Sequence, residues 1–363
     1  MIAARPFRVL ALAALLLAGC ESQGSPPPPL GAADPAPQTQ TQTQTQTQTA
    51  PPPALVAQLD ALAGGFDGRV GIAVEDVRTG WVASYDGDRL YPQQSVSKLC
   101  TAIAVLDLVD QGKLKLSDPI LVRREDMSVF NQPIQAKLTD AGYPTTLGDL
   151  LVWAIAQSDN AADDILIRQV GGPEVVQATL ASRGVGAIRC GPEEHVLESK
   201  VAGLDWRPEY SFGHAFWDAR DKVDPAVRAA KLQAYLDDPD DGATPVALVR
   251  LLARLKRGEL LSPASTARLL DIMAATRTGP LRLPGGLAPG WTIAHKTGTG
   301  QDLGDLSTGN NDVGLLTAPD GRTYAVAVMI ASTRQPVPER QRIMADTTRA
   351  VVGLAPAVNG SSY

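Results

Sequence analysis

Cysteine is scarce in this chain: Cys20, Cys100 and Cys190 are the only three among 363 residues. Three scattered cysteines exclude a disulfide framework, and their wide spacing excludes a cysteine-held zinc site. Histidine is equally sparse, and His195, His214 and His295 lack metal-ligand spacing, so no zinc hydrolase is expected. Positive charge is in deficit, with 33 Lys and Arg against 39 Asp and Glu, a formal net charge of −6. No basic block or stripe breaks that balance, which excludes a nucleic-acid partner. Aromatic residues make up only 5 % of the chain, yet 44 % is apolar, which suits a packed aliphatic core. At this length the chain holds either two domains or one large one.

The first segment reads as an address rather than as fold. Arg5 and Arg8 supply a positive start, and Val9 to Ala18 is an apolar run too short to span a bilayer. It ends in Leu17-Ala18-Gly19-Cys20, which resembles a bacterial lipoprotein cleavage box. That resemblance implies a signal peptide over 1–20, lipidation of Cys20, and an exported, periplasmic protein anchored to a bacterial membrane. Cys100 and Cys190 would then remain as free thiols. Residues 21–53 are Pro, Gln, Thr, Ala and Ser with a Thr-Gln repeat, and too little apolar surface to offset ordering entropy. A disordered tether is expected there.

Hydrophobic periodicity organises the remainder. Leu55, Leu59 and Leu62 recur at helical spacing over 54–63, and Val70, Ile72 and Val74 alternate as a strand. Trp81 to Tyr85 is a partner strand, and near the other end Asp312 to Thr317 and Thr323 to Ile330 form another pair. A helix closes the chain from Pro338 to Val352. Between these ends the pattern is helical, over 95–108, 147–156, 161–170, 244–257 and 262–275. Strands at both ends around a helical middle predict an α/β fold: an antiparallel sheet flanked by terminal helices, plus an all-helical lobe. A ligand would sit in the cleft between them.

Three short motifs carry the chemistry. Ser95 and Lys98 stand three residues apart in Gln94-Ser95-Val96-Ser97-Lys98, at the expected start of a helix where positions i and i+3 share a face. A serine hydroxyl is a poor nucleophile at neutral pH and needs a base within hydrogen-bond reach, which Lys98 can supply. Ser158-Asp159-Asn160 lies between two apolar helices, where a hydroxyl can relay a proton and Asn160 can hold an amide. Lys296-Thr297-Gly298-Thr299-Gly300 follows a strand-like run from Trp291 to Ala294. Lysine and threonine there can hold a carboxylate, and glycine permits close approach of a ligand to the strand. Singly, each motif also reads as a cap or a turn.

Taken together and in this order, Ser-x-x-Lys, Ser-Asp-Asn and Lys-Thr-Gly resemble the class A β-lactamases and penicillin-binding proteins. Ser158 follows Ser95 by 63 positions, close to that family's interval of about 60. The resemblance covers roughly residues 55–355 and implies a two-lobed serine β-lactamase-like domain over 54–356. Its α/β lobe would comprise about 54–88 and 284–356, and its helical lobe about 89–283. It implies Ser95 as nucleophile, Lys98 or Glu194 (through a water) as base, and Ser158 as proton donor to the lactam nitrogen. Asn160, Lys296, Thr297, Gly298 and Thr299 would bind substrate, with the backbone N–H groups of Ser95 and Thr299 as oxyanion donors. Glu194, in Glu194-His195-Val196-Leu197-Glu198, matches the family's deacylating glutamate. A β-lactam is the expected partner, with no cofactor, no metal and a monomeric state.

Several departures stand out. Glu198 replaces the family's asparagine, and a second carboxylate beside Glu194 should raise the pKa of one of the pair. Gly191 and Pro192 replace the family's Asp and Arg, so the loop must be held differently. The extra length of the chain falls near 201–241, where it would cover or reshape the cleft. No arginine follows Lys-Thr-Gly at the usual strand position, leaving Arg282 or Arg334 to contact a carboxylate. Two rivals stay open: a D,D-peptidase of the penicillin-binding type, and a penicillin-sensing module that is acylated without turnover.

Overall fold

The computed structural model of the protein describes residues 50–354. The expected signal segment, Cys20 and most of the 21–53 tether lie outside the described residues. Chain order begins with α1 (Pro53–Gly64), β1 (Gly68–Asp76), β2 (Val82–Tyr85), β3 (Tyr91–Pro92), α2 (Lys98–Asp110), β4 (Pro119–Val122) and β5 (Tyr143–Thr146). Five helices follow: α3 (Leu147–Ala156), α4 (Asn160–Val170), α5 (Pro173–Ser182), α6 (Glu194–Ala202) and α7 (Ala215–Arg220). Next come α8 (Pro225–Asp237), β6 (Gly242–Ala243), α9 (Pro245–Lys256) and α10 (Pro263–Ala274). The chain closes with β7 (Thr292–Gly298), β8 (Ser307–Thr317), β9 (Thr323–Thr333) and α11 (Val337–Val352).

Five strands form one antiparallel sheet in the order β2-β1-β9-β8-β7. The first and last parts of the chain thus build the sheet together, as the strand pattern at both ends predicts. β9 is central and covered on both faces, which explains its unbroken apolar run. Its Ala325, Ala327, Met329 and Ala331 face the helical core with Ala73, Val313 and Leu315. Tyr324, Val326, Val328 and Ile330 face the other way, joining Leu55 and Leu59 of α1 with Ile343 and Met344 of α11. Side chains alternate across a strand, so one β9 sequence serves two cores.

Caps set the helix starts in the middle of the chain. Thr146, Asp159, Thr244 and Ser262 each accept a backbone N–H from the first turn of α3, α4, α9 and α10 respectively. α4 ends where Gly171 turns left-handed at φ 106°, a conformation that glycine alone adopts without steric cost.

Two expectations need correction. Ser95 does not open an α-helix: Gln94–Ser97 is a 3-10 turn, and α2 begins at Lys98. The cause lies at Gln94, whose φ of 54° is left-handed and tightens the entry to the helix. β8 begins at Ser307, five residues before the apolar signal at Asp312. Its polar start is buried rather than solvated, and Asn311 Nδ2 donates to the backbone oxygens of Pro92 (2.8 Å) and Gln93 (2.9 Å).

Candidate active site

From Tyr91 to Asp107, Ser95 is the one residue that is not buried. The turn holding it is pinned from outside its own helix. Gln94 N–H donates to Asp241 Oδ2 (2.6 Å), and Gln93 Nε2 donates to the backbone oxygens of Arg189 and Asp241, both at 2.8 Å. Lys98 Nζ donates to Ser95 Oγ at 2.9 Å and forms a short buried ion pair with Glu194 Oε1. Burial alone would discharge Lys98, but the carboxylates of Glu194 and Asp163 outweigh it and raise its pKa. In the resting state, therefore, Lys98 is charged.

Facing this pair, Lys296 Nζ donates to Ser158 Oγ (2.7 Å) and to the backbone oxygen of Thr297 (2.8 Å). Lys296 is fully buried with no ion pair among the described residues, and burial together with the nearby Lys98 pushes its pKa well down. It gives up a proton more readily than an ordinary lysine. Ser158 sits at φ 58°, and with Gln94 and Phe130 it makes three of the five non-glycine residues at positive φ among the described residues. Such backbone strain gathers where a side chain must be aimed.

Asp159 is structural. Its Oδ1 caps α4 at Ala162 N–H (2.9 Å), and its Oδ2 accepts Ile134 N–H (2.6 Å). Asn160 Nδ2 donates to Val129 O (2.9 Å), while its buried Oδ1 has no partner and is free to accept an N–H from a ligand. Gly298 is required by close approach, since a Cβ there would lie 2.3 Å from Gln93 O. Thr297 Oγ1 meets Thr278 Oγ1 at 2.6 Å. Thr299 Oγ1 accepts Arg282 Nη2 (2.7 Å), and Arg282 Nη1 also holds Gly298 O (2.9 Å) and Asn311 O (2.7 Å). Of the two candidate arginines, only Arg282 reaches the Lys-Thr-Gly strand; Arg334 pairs with Asp305.

Glu194 opens α6 and is held there by Asp164 of α4. Asp164 Oδ1 accepts Glu194 N–H (2.6 Å), and its Oδ2 meets His195 Nδ1 (2.7 Å). This clamp, with Asp241 against Gln94 and Tyr235 and an ion pair between Arg189 and Asp238 (2.6 Å), fastens the loop around Gly191 and Pro192. Glu198 lies one turn after Glu194 and is equally buried. It has no cation partner among the described residues: Gln301 Nε2 donates to its Oε2 (2.7 Å) and to its backbone oxygen (2.8 Å). Burial and the adjacent Glu194 push the Glu198 carboxyl up to about 8, so it is protonated at neutral pH.

All four catalytic candidates from the sequence, Ser95, Lys98, Ser158 and Glu194, belong to two hydrogen-bonded groups lined by Asn160 and the Lys296–Thr299 strand. Sequence reasoning missed Asp164, Asp241 and Gln301. Adjacent acids Asp163 and Asp164 inside an apolar helix pattern were the available signal for the first; nothing local marks the others. Among the described residues no group of three or more His, Cys, Asp or Glu is placed to hold a metal ion. Cys100 and Cys190 are free and buried.

Similarity to known proteins agrees with this geometry. The model of the β-lactamase enzyme family matches residues 54–354. The extended-spectrum β-lactamase PER-1 of Pseudomonas aeruginosa is 27 % identical over 304 residues, covering 82 % of this chain and 86 % of that protein. β-Lactamase VEB-1 of the same organism is 26 % identical over 284 residues, covering 77 % and 83 %. Among solved structures, a β-lactamase from Chitinophaga pinensis superposes with a TM-score of 0.66 at 30 % identity, over 82 % of this chain and 97 % of that one. An ancestral (GNCA) class A β-lactamase superposes with a TM-score of 0.64 at 33 % identity, over 82 % and 99 %. A family match over nearly the whole described region, on the fold and site above, means that this chain belongs to the β-lactamase enzyme family, in its class A serine branch.

Proposed function

We infer that the protein hydrolyses the amide bond of β-lactams through a covalent acyl-enzyme on Ser95. The observation that carries this reading is the placement of Lys98 Nζ between Ser95 Oγ and the Glu194 carboxylate. Because Lys98 is charged at rest, it can take the Ser95 proton only as it passes one of its own to Glu194. Glu194 is then the terminal base of acylation. Ser95 Oγ attacks the lactam carbonyl, and the backbone N–H groups of Ser95 and Thr299 hold the oxyanion, each worth about 3 kcal/mol. Collapse breaks the C–N bond, and Ser158 hands its proton to the departing nitrogen. Lys296, with its depressed pKa, reprotonates Ser158 and regains a proton from solvent. Lys296 and Thr297 bind the substrate carboxylate, with Arg282 behind Thr299, and Asn160 Oδ1 accepts the side-chain amide N–H. Glu194, having released its proton to solvent, deprotonates the water that attacks the ester; the bond to Ser95 Oγ breaks, and the proton returns from Glu194 through Lys98 to Ser95 Oγ.

The catalytic domain occupies 54–356 in this reading, with its sheet lobe from about 54–88 and 284–356 and its helical lobe from about 89–283. The 1–20 leader directs export, and a lipid on Cys20 tethers a monomer to a membrane on the periplasmic side. Labelling of the full chain with a radioactive fatty acid, lost in Cys20→Ala, tests the anchor; equal labelling of both would refute it.

A chromogenic cephalosporin mixed with the purified protein tests the activity. Many turnovers per enzyme are expected. A stoichiometric, stable adduct on Ser95 would mean a sensing module instead. Release of D-alanine from a stem peptide without lactam turnover would mean a D,D-peptidase.

A further inference from the structure

Between α6 and β6, Tyr235 and Asp241 brace the Ser95 turn, but the stretch from Trp206 to Arg220 has no role in the reaction above, and its aromatic rings roof the elements that carry the site. Trp206 packs against His195 on one side (ring centroids 4.8 Å apart). Phe216 and Trp217 pack against Phe130 across the cleft, at 4.8 and 5.1 Å. Under this roof lies a cavity of about 600 Å³, lined by Phe130, Trp217, Arg220 and the stretch Thr299 to Asp302. Thr299, the first residue after β7, is part of that lining, so the cavity adjoins the end of the Lys-Thr-Gly strand.

Arg220 sets the chemistry of that cavity. Its guanidinium lies 4.3 Å from the centroid of the Trp217 ring, a stacking that holds the planar group flat and oriented. It makes one side-chain hydrogen bond, from Nη1 to Gln301 Oε1 at 3.2 Å, and no ion pair among the described residues. Its Nε is buried without a partner. Trp217 is 37 % exposed and lines the cavity with part of its ring. An aromatic surface and an uncommitted guanidinium in one cavity fit a ligand that is aromatic and anionic. Asp302 on the rim is the opposing charge, but it is exposed and accepts Ser307 Oγ (2.6 Å). Solvent screens it more than it screens the half-buried Arg220. Asp221, the next residue along the chain, is exposed and lies 4.0 Å from Arg228, and Glu198 is protonated at neutral pH and contributes no charge there.

We propose that Arg220, seated on Trp217, is a specificity-determining residue that selects β-lactams whose acyl side chain carries an aromatic ring and, on the carbon next to it, a carboxylate. This rests on the reading of the protein as a β-lactam hydrolase and adds the side-chain class that this site prefers. The carboxylate takes a charge-assisted pair of hydrogen bonds from the guanidinium, and the ring packs in the cavity against the sides of Phe130 and Trp217 that line it.

Two penicillins that differ only by a carboxylate on the benzylic carbon, carboxybenzylpenicillin and benzylpenicillin, test the proposal on the full chain. The ratio of their kcat/KM values should favour the carboxylate in the wild type, fall by on the order of tenfold in Arg220→Gln, and fall less in Arg220→Lys, which keeps the charge but loses the planar fork. An unchanged ratio in Arg220→Gln overturns the proposal. In a second arm, free phenylmalonate and the uncharged phenylacetamide are titrated while the Trp217 indole resonance is followed by NMR, and phenylacetamide should shift it in neither the wild type nor Arg220→Gln. Phenylmalonate should shift it in the wild type and not in Arg220→Gln; equal shifts in both proteins overturn the proposal. If neither penicillin is turned over or attached to Ser95, the hydrolase reading fails, and the NMR arm still decides whether Arg220 binds the aromatic anion.

Discussion

Glu198→Gln removes an ionisable group from beside Glu194 at almost no change in shape, and its consequences follow from burial. The Glu198 carboxyl is pushed up from 4.5 to about 8 in the folded protein. The folded state therefore holds a proton that the unfolded chain releases, and stability falls as pH rises between those values. The full stabilisation is present below pH 4.5 and is lost through pH 8. A tenfold difference in proton affinity is worth about 1.4 kcal/mol, which makes the whole effect on the order of 5 kcal/mol and the part between pH 6 and 8 about 2 kcal/mol. For a domain of about 300 residues that part corresponds to roughly 3–4 °C in melting temperature. Asp163 and Asp241, both pushed to about 7 by burial, tilt the curve the same way but are common to both proteins. The difference between wild type and variant thus isolates Glu198. Thermal melts across pH 6–8.5 should show the wild type losing stability relative to Glu198→Gln by that amount. Turnover should show an alkaline limb near pH 8 in the wild type that is absent from the variant, because an ionised Glu198 would repel the charge on Glu194. Parallel melting curves and superimposable pH profiles would refute a protonated Glu198.

Other consequences are simpler to test. Ser158→Ala takes away the proton donor to the lactam nitrogen and one acceptor of Lys296, so kcat should fall about 10²–10³-fold, read in steady-state kinetics. Asp241→Ala strands the Gln94 N–H and the Tyr235 hydroxyl in a buried position; urea unfolding should show a loss of roughly 2–4 kcal/mol. Met329→Ala opens a cavity where the central strand meets the helical core, and should cost about 2–5 kcal/mol by the same measurement.

What the sequence made legible was local. Three motifs announced themselves in order, and alternation at both chain ends disclosed a sheet assembled from distant segments. β9 was readable because period-two burial on both faces leaves an unbroken apolar run. The start of β8 was not, because Thr308 to Asn311 are polar residues buried by loops that only the folded chain brings near. The tight turn at Ser95 was hidden for a similar reason. Gln94 is held left-handed by Asp241, 147 residues away, and no local propensity encodes that contact. Glu198 was noticed as an intruding carboxylate, but its answer, Gln301, comes from the far side of the cleft. Arg282 and Arg334 looked equivalent in sequence. Position decides between them, since one lies behind Thr299 and the other in a surface pair with Asp305.

The central claim is that Ser95 is acylated and that Glu194 frees it. Time-resolved intact mass of Glu194→Gln mixed with a chromogenic cephalosporin, followed by peptide mapping, tests this most directly. The account predicts an adduct that persists on the peptide carrying Ser95 while the wild type turns over freely. Turnover by Glu194→Gln at the wild-type rate, or an adduct on any other residue, would contradict it.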